Sequence, residues 1–297
     1  MARKIKSQFE ADMLLAIVTL GWGVSYFMMD LCLEEMDPMT LNAYRFLGAF
    51  AVAAILAFPK LKGVNKTTLI YAFLVSVAMV FTYIGATYGV KYTSQSNAGF
   101  FCGTAVIFTP ILTFFIKKIV PDKKLFLVLI LCTIGMALMA FDEQLHVARG
   151  DWLCLMCGFC YTFAILITET GVARDDVDAF QLGVFELGFT GGWMLILALL
   201  LEDMVLPQSM GCWISVAFLS VFCTGIAYIA QAVAQQYTSA THVGVIFTLE
   251  PVFAAIVAFF FAGERLLPRA YFGAVLMLLS LLIMEVDIKS LRKRRDT

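Results

Sequence analysis

Apolar residues occur along the chain in long continuous runs that are separated by short polar gaps. Each run has about the 20 residues that an α-helix needs to cross the hydrocarbon core of a bilayer. The runs do not alternate residue by residue, which favours helices over a β-barrel. The ten runs lie near residues 11–29, 40–58, 67–90, 95–116, 124–141, 150–168, 179–201, 211–236, 240–262 and 268–286. The pattern therefore predicts an all-α polytopic membrane protein with ten transmembrane helices.

The composition excludes several classes of protein. Of the 297 residues, 61% are hydrophobic and 14% are charged, whereas a soluble domain has about 45–50% apolar and about 25% charged residues. A formal net charge of −1 provides no basic field that would hold a polyanion. The composition thus argues against a soluble enzyme, a disordered chain and a nucleic-acid partner, and it predicts that the lipid bilayer surrounds the protein.

The distribution of Lys and Arg predicts the orientation in the membrane. Arg3, Lys4 and Lys6 precede the first run, but its apolar core is too long for a signal peptide and no small-residue cleavage site follows, so we expect a retained span. With the N-terminus inside, the inner segments hold sixteen Lys and Arg residues and the outer segments hold four. Because positive residues favour the cytoplasmic side, we expect a protein of the cytoplasmic membrane with both termini in the cytoplasm.

The eight cysteines do not predict a disulfide framework, because most of them fall inside apolar runs. Cys32 and Cys212 lie near outer span ends, where they are either paired or free. Cys154, Cys157 and Cys160 have a spacing that metal sites use, but on a helix they fan around one side. We interpret them as packing residues and predict no metal and no cofactor.

A repeated pattern divides the chain into two halves. The stretch Tyr92-Thr93-Ser94 leads into a run with Pro110, and Tyr237-Thr238-Ser239 leads into a run with Pro251. The halves span 1–145 and 146–297 and contain five predicted helices each. Since five is odd, the second half must enter the membrane with the opposite orientation. Inverted repeats of this kind are typical of secondary transporters.

Several short motifs resemble those of one known family. They are Gly21-Trp22-Gly23 with Ser25, Arg45-Phe46, the two Thr-Ser turns, the two mid-span prolines, and Gly263-Glu264-Arg265-Leu266 with Gly273. Over essentially the whole chain the sequence resembles EamA-type permeases of the drug/metabolite transporter superfamily. The resemblance implies a membrane carrier of small metabolites, often an exporter, and does not name the solute. The first half departs from the pattern, because Lys117-Lys118 and Lys123-Lys124 stand where the second half has its Gly-Glu-Arg motif.

Polar side chains inside the runs are the candidates for a binding site, because a polar group in hydrocarbon needs a partner or a cavity. Thr224, Tyr228, Gln231 and Gln235 share one helix face by their spacing. We expect a central cavity lined by hydroxyl, amide and aromatic groups; ordinary hydrogen bonding between helices is the alternative. The predicted solute-binding residues are Trp22, Tyr26, Tyr83, Thr87, Asn97, Tyr161, Thr224, Tyr228 and Gln231.

Glu250 and His242 are the candidates for coupling to protons or cations. At the helical rise, Glu250 lies about 15 Å deep, where a charge costs about 2.5–3.5 kcal/mol. Pro251 follows it and removes a helical hydrogen bond from a nearby carbonyl. Glu250 is therefore either a proton or cation site or a structural acid. His242, near the inner mouth, is either a proton relay or a polar cap.

Two further charges are predicted to be structural. Arg45 enters about 9 Å from the outer side, and we expect it to extend outward to the interface or to form a structural pair. Glu186 occupies the corresponding place in the second half, and we expect it to make a helix contact near the inner side.

These observations predict a secondary transporter that exports a small metabolite, either amino-acid-like or amphipathic and cationic, by alternating access. An uncoupled facilitator or an importer is the alternative within transport, and a membrane-embedded enzyme or a scaffold is the alternative outside it. No Walker, HExxH or GxSxG motif occurs, so we predict neither direct use of ATP nor an enzyme. Whether the protein is a monomer or a homodimer is left open.

Overall fold

The computed structural model describes residues 7–118, 120, 122–140, 148–263 and 267–285. Within these ranges the regular elements are helices, and no strand occurs. Two π-helical segments, Leu219–Ile226 and Ala258–Ala262, follow α10 and α13 respectively. The α-helices are α1 (Gln8–Leu33), α2 (Pro38–Leu56), α3 (Phe58–Leu61), α4 (Lys66–Tyr92), α5 (Gln95–Cys102), α6 (Ala105–Lys117), α7 (Lys123–Ala140), α8 (Arg149–Val172), α9 (Ala179–Leu201), α10 (Met210–Phe218), α11 (Ala227–Ala234), α12 (Ala240–Phe247), α13 (Leu249–Val257) and α14 (Pro268–Glu285).

Eight helical stretches in the described part of the chain are long and apolar enough to cross a membrane. A ninth apolar helix, 268–284, is shorter. These elements confirm the prediction of an all-helical, multi-pass integral membrane protein. The eight stretches are 8–33, 38–56, 66–92, 97–117, 149–172, 179–201, 210–234 and 240–261.

Polar N-caps begin several of the helices. Ser94 and Ser239, the last residues of the two repeated turns, accept hydrogen bonds from the backbone N–H groups of Asn97 and His242 at 3.2 and 3.3 Å. A capping hydroxyl satisfies one of the four N–H groups that a helix start leaves without a helical partner. The two turns therefore start helices, α5 and α12, at corresponding places in the chain.

The helices that follow these turns are both interrupted. The first breaks between α5 and α6 at Gly103 and Thr104, and the second breaks between α12 and α13 at Thr248. The Thr248 hydroxyl donates to the Val245 carbonyl oxygen at 2.7 Å, which satisfies a carbonyl at the break. Pro251 is the third residue of α13, where a helix tolerates proline because no helical N–H bond is lost.

Helices from the first 145 residues pack mainly against helices from the rest of the chain. The closely packed pairs are α4 with α8, α2 with α9, α1 with α13, and α7 with α14. Glycines allow the closest of these approaches: a Cβ added to Gly85 would lie 2.5 Å from the Leu153 carbonyl oxygen. The principal core lies between the two sets of helices and holds Trp22, Tyr83, Tyr161 and Tyr228.

The cysteines are all free thiols. Cys32 and Cys212 are not joined, and the Cys32 thiol lies 3.9 Å from the Cys212 carbonyl oxygen. Glu264, Arg265 and Leu266 of the predicted family motif, the leading Arg3, Lys4 and Lys6, and the basic segment 286–297 lie outside the described residues.

Candidate solute-binding site

A small cavity of about 50 Å³ lies in the middle of the bundle. By the measure in which one water needs about 10–15 Å³, this space admits a few water molecules. Helices from both parts of the chain form its walls: α1, α2, α4 and α5 from the first, and α8, α11 and α13 from the second. The lining residues are Trp22, Ser25, Tyr26, Met29, Arg45, Thr82, Tyr83, Ala86, Cys102, Cys157, Tyr161, Tyr228 and Glu250.

Aromatic rings form one wall of the cavity around Trp22. The Trp22 ring centre lies 5.8 Å from that of Tyr161, 5.4 Å from that of Tyr228 and 4.8 Å from that of Phe247. The contacts with Tyr161 and Phe247 are edge-to-face, an arrangement that stabilises ring pairs beyond the area that they bury. The Trp22 indole N–H donates to the Cys223 carbonyl oxygen at 2.9 Å, which fixes the ring in place. The wall is therefore both apolar and rigid.

Hydroxyl groups of four tyrosines lie around the same space. Tyr83 and Tyr228, on α4 and α11, share a hydrogen bond of 2.7 Å between their hydroxyl oxygens. Tyr161 donates to the Gln231 side-chain oxygen at 2.6 Å. Tyr26 donates to the carboxylate of Glu250 at 2.5 Å. The Tyr83–Tyr228 and Tyr26–Glu250 bonds join helices before residue 145 to helices after it. The Tyr161–Gln231 bond links α8 to α11.

Glu250 brings a carboxyl group into the cavity from the first turn of α13. One oxygen, Oε1, accepts the hydrogen bond from Tyr26. That is the only protein hydrogen bond of Glu250 within the described residues, and the side chain is partly exposed to the cavity. The second oxygen is therefore available to a proton, a cation or a solute.

Arg45 reaches the cavity from α2 and is only 1% exposed. Its Nε donates to the Thr224 hydroxyl, and its two terminal nitrogens lie 3.4 Å from the Met29 sulfur and the Cys223 carbonyl oxygen. The guanidinium carbon lies 4.8 Å from the Tyr83 ring centre, within cation–π range. The expectation that Arg45 extends outward to the interface is wrong, because the tertiary fold supplies these inward partners.

Arg45 and Glu250 face the same space without forming a salt bridge. Among the described residues no acid lies within 4.0 Å of the Arg45 nitrogens. A buried charge without a counter-ion is costly. Neutral donors, acceptors and rings contact both side chains instead. The cavity consequently presents a guanidinium group and a carboxyl group, both of which can take a further partner.

The remaining predicted binding residues lie behind the cavity wall and not in it. Thr87 exchanges hydrogen bonds with the Asn42 amide on α2, at 3.0 and 3.2 Å. Thr224 holds Arg45 and Gln231 holds Tyr161, as described above. Asn97 is half-buried in the first turn of α5 and does not line the cavity. Thr224 and Gln231 thus hold side chains that line the cavity. Thr87 links α4 to α2, two helices that carry lining residues.

The two other predicted charges are also outside the cavity. His242 lies in the first turn of α12, with its ring 3.3–3.4 Å from the Gln8 amide nitrogen and 4.0 Å from a carboxylate oxygen of Asp12. Glu186 is 3% exposed in α9, and its Oε2 has no hydrogen-bond partner in the described part of the chain. Glu186 is therefore buried in the protein, with one carboxyl oxygen that has no hydrogen-bond partner among the described residues.

Six lining residues were not predicted: Ser25, Met29, Thr82, Ala86, Cys102 and Cys157. Helical spacing could have found three of them, because Ser25 and Met29 follow Trp22 and Tyr26 by three residues and Cys157 precedes Tyr161 by four. The sequence analysis interprets Cys157 as a packing residue, whereas it lines the cavity. Across the described ranges, no group of three or more His, Cys, Asp or Glu residues is arranged to hold a metal ion.

The fold and the cavity define a polytopic helical membrane protein with a polar central site of the kind that carriers use. The sequence profile of the EamA-like transporter family matches residues 10–141 and, separately, residues 148–286. The chain therefore belongs to this family of transporters. It is a protein of the lipid bilayer, and its partner is a small-molecule solute.

Relatives of similar length carry the same general description. A protein of Archaeoglobus fulgidus named as an uncharacterized transporter is 28% identical over 282 residues, which cover 94% of this chain and 86% of that protein. A second such protein of Archaeoglobus fulgidus is 26% identical over 267 residues, covering 86% and 90%. A third, from Methanothermobacter thermautotrophicus, is 22% identical over 295 residues, covering 90% and 83%.

A solved structure has a similar fold. A protein of known crystal structure superimposes with a TM-score of 0.78 over 96% of this chain and 99% of its own, at 13% sequence identity. At that identity the likeness concerns the fold alone.

Proposed function

We propose that this protein is a secondary transporter that exports a small amino-acid-like metabolite across the cytoplasmic membrane by alternating access. The observation that carries the proposal is that the Arg45 guanidinium and the Glu250 carboxyl group line one buried cavity without a salt bridge between them. Transporters bind their substrates near the bilayer midplane, at the interface between two halves.

An amino-acid-like solute fits the chemistry of the lining. The planar guanidinium of Arg45 is suited to a carboxylate, and the free oxygen of Glu250 is suited to an ammonium group. The rings of Trp22 and Tyr161 offer an apolar surface for the rest of the solute and a cation–π surface beside the ammonium. A purely cationic solute would leave Arg45 without a role in binding.

Alternating access requires two related halves that move against each other. We propose ten spans, the eight long stretches with α7 and α14, arranged as inverted halves 1–145 and 146–297. The two separate matches of the family profile and the corresponding breaks after Ser94 and Ser239 support this arrangement. A cavity of about 50 Å³ is too small for an amino acid, so solute entry requires the walls to separate.

Glu250 is the proposed coupling group. A carboxyl that releases a solute ammonium at mid-membrane leaves a costly charge, and a proton taken up from the outside would neutralise it for the return step. The Tyr26 hydroxyl would hold the carboxyl in position through both states. A role of His242 in this coupling stays a prediction, because eight residues of helix, about 12 Å, separate it from Glu250.

The orientation follows from the basic residues, with both termini in the cytoplasm. Since the cavity binds solute by hydrogen bonds, charges and ring faces, the solute would leave unchanged, and we propose no enzymatic step. The choice between a monomer and a homodimer does not enter this mechanism.

The proposal is tested by uptake into proteoliposomes reconstituted with the purified protein. Pools of labelled amino acids, cationic drugs and nucleosides are offered with and without an imposed pH gradient. We expect a member of the amino-acid pool to accumulate only when the gradient is present. Accumulation of cationic drugs alone would refute the proposed solute class, and gradient-independent equilibration would leave a facilitator and remove the coupling role of Glu250.

A further inference from the structure

An apolar groove of about 530 Å³ lies on the outside of the bundle between α6 and α7. One face of each helix lines it: Ile107, Ile111 and Phe115 follow one another at intervals of four residues on α6, and Phe126, Ile130 and Ile134 do so on α7. The hydroxyl of Thr133, which also lines the groove, already donates to the Leu129 carbonyl oxygen at 2.7 Å. The groove thus offers a surface for a hydrocarbon chain and not for a polar ligand.

The groove has the length of one leaflet. Phe115 and Phe126 lie two and three residues from the ends of their helices, while Ile107 and Ile134 lie ten and eleven residues away. At the helical rise, the lining extends from about 3 to about 16 Å below the loop. Half of a bilayer's hydrocarbon core is about 15 Å, so an acyl chain in the groove would place its headgroup at the loop.

Two lysines stand at the loop end of the groove. Lys118 follows Phe115 by three residues, and Lys123 precedes Phe126 by three, so both lysines lie about one helical turn from the groove residues nearest the loop. Both are exposed, and neither makes a hydrogen bond or ion pair within the described residues. Lys118 adopts a left-handed backbone (φ 58°) at the end of α6, where glycine is the ordinary residue.

The other charges near the loop already have partners inside the protein. Lys117 pairs with Glu169 on α8. Lys124 donates to the Met284 carbonyl oxygen on α14 at 2.7 Å. Asp122 accepts from the Leu125 N–H at 2.7 Å and so caps the start of α7. Among the described lysines next to this loop, Lys118 and Lys123 are therefore the two whose charge is not already used within the protein.

We propose that this groove is a specific site for an anionic phospholipid, with one acyl chain between α6 and α7 and the phosphate between Lys118 and Lys123. Basic residues at the membrane surface attract anionic headgroups, and basic pockets between transmembrane helices bind them. The site rests on the proposed orientation, which puts these lysines on the cytoplasmic side. It does not depend on the solute or on the coupling mechanism.

Native mass spectrometry of the protein in mild detergent tests this site directly. Phosphatidylglycerol and phosphatidylcholine with identical acyl chains are titrated into the wild-type protein and into the double variant Lys118→Gln, Lys123→Gln. We expect one tightly bound phosphatidylglycerol on the wild type, an affinity at least about tenfold lower in the double variant, and weak, unchanged binding of phosphatidylcholine.

Two further variants separate this site from general electrostatic attraction. The double variant Lys60→Gln, Lys62→Gln removes the same charge at the same end of the bundle but away from the groove, and it should bind phosphatidylglycerol like the wild type. Ile111→Trp fills the groove and should weaken the binding while the lysines remain. Equal binding of the two lipids by the wild type, or an equal loss in the control double variant, would overturn the proposal. Because the readout is binding, transport activity does not affect the result.

Discussion

The close contact between α4 and α8 gives a prediction that can be worked out from the coordinates. These helices carry Tyr83 and Tyr161, which both line the cavity. A Cβ added at Gly85 would lie 2.5 Å from the Leu153 carbonyl oxygen and 2.9 Å from the Cys157 nitrogen. Both are backbone atoms of α8, so the clash cannot be relieved by turning a side chain. Gly85→Ala must therefore push the two helices apart.

The size of the stability loss in Gly85→Ala follows from a comparison with Gly192→Ala. In each variant the higher helix propensity of alanine adds about 0.5–1 kcal/mol to the free energy of unfolding. A Cβ at Gly192 meets no atom within 4 Å, so that variant should be slightly more stable than the wild type. Overpacking a well-packed site costs about 1–3 kcal/mol. Gly85→Ala should therefore be less stable than Gly192→Ala by about that amount.

The assay is equilibrium unfolding in mixed micelles, with circular dichroism as the readout, for the wild type and both variants. We also expect Gly85→Ala to lower transport, because the displaced helices carry the tyrosines of the cavity. Equal stability of Gly85→Ala and Gly192→Ala would refute the close approach of α4 and α8.

Three further variants test other contacts. Tyr161→Phe keeps the ring but removes the hydrogen bond to Gln231, so we expect a loss of about 0.5–1.5 kcal/mol in the same unfolding assay. Glu202→Gln should cost about 1 kcal/mol, because the Glu202 carboxylate accepts from the Thr40 N–H and hydroxyl and so caps the start of α2; an unchanged melting temperature would contradict this. Backbone N–H groups before α10 donate to Glu35, and its hydrogen bonds with Ser209 lower the pKa of its carboxyl. The stabilisation is complete above the ordinary pKa and is lost as the pH falls through the lowered one, so melting curves of the wild type and Glu35→Gln should converge at acid pH.

The apolar runs predicted the helices well, because length and hydrophobicity alone determine whether a segment can span a bilayer. The interruptions were less predictable. The runs 95–116 and 240–262 each contain two helices, and the breaks at Gly103-Thr104 and Thr248 lie before the prolines. Pro110 is accommodated inside α6, and Pro251 lies in the first turn of α13. A proline inside a helix removes one helical hydrogen bond, but the surrounding packing decides where the helix breaks.

The candidate site was predictable where side chains combine a large ring with a polar group. Trp22, Tyr83 and Tyr228 could be assigned to facing helix surfaces from their spacing. The contacts of Arg45 could not be predicted. Its depth in a single helix predicts an extension to the interface, but its partners Thr224 and Cys223 lie on another helix, which the sequence does not place beside it. Cys102 and Cys157 were missed because a small, weakly polar side chain gives the same sequence signal in a cavity wall as in ordinary packing.

The central claim is that Glu250 carries the coupling step from inside the solute cavity. The direct measurement is solute accumulation in proteoliposomes under an imposed pH gradient, for the wild type, Glu250→Gln and Glu34→Gln. Glu34 is exposed at the end of α1 and provides the same chemical change outside the cavity. We predict that Glu250→Gln abolishes gradient-driven accumulation in a folded protein while Glu34→Gln retains it. Full accumulation by Glu250→Gln would contradict the account.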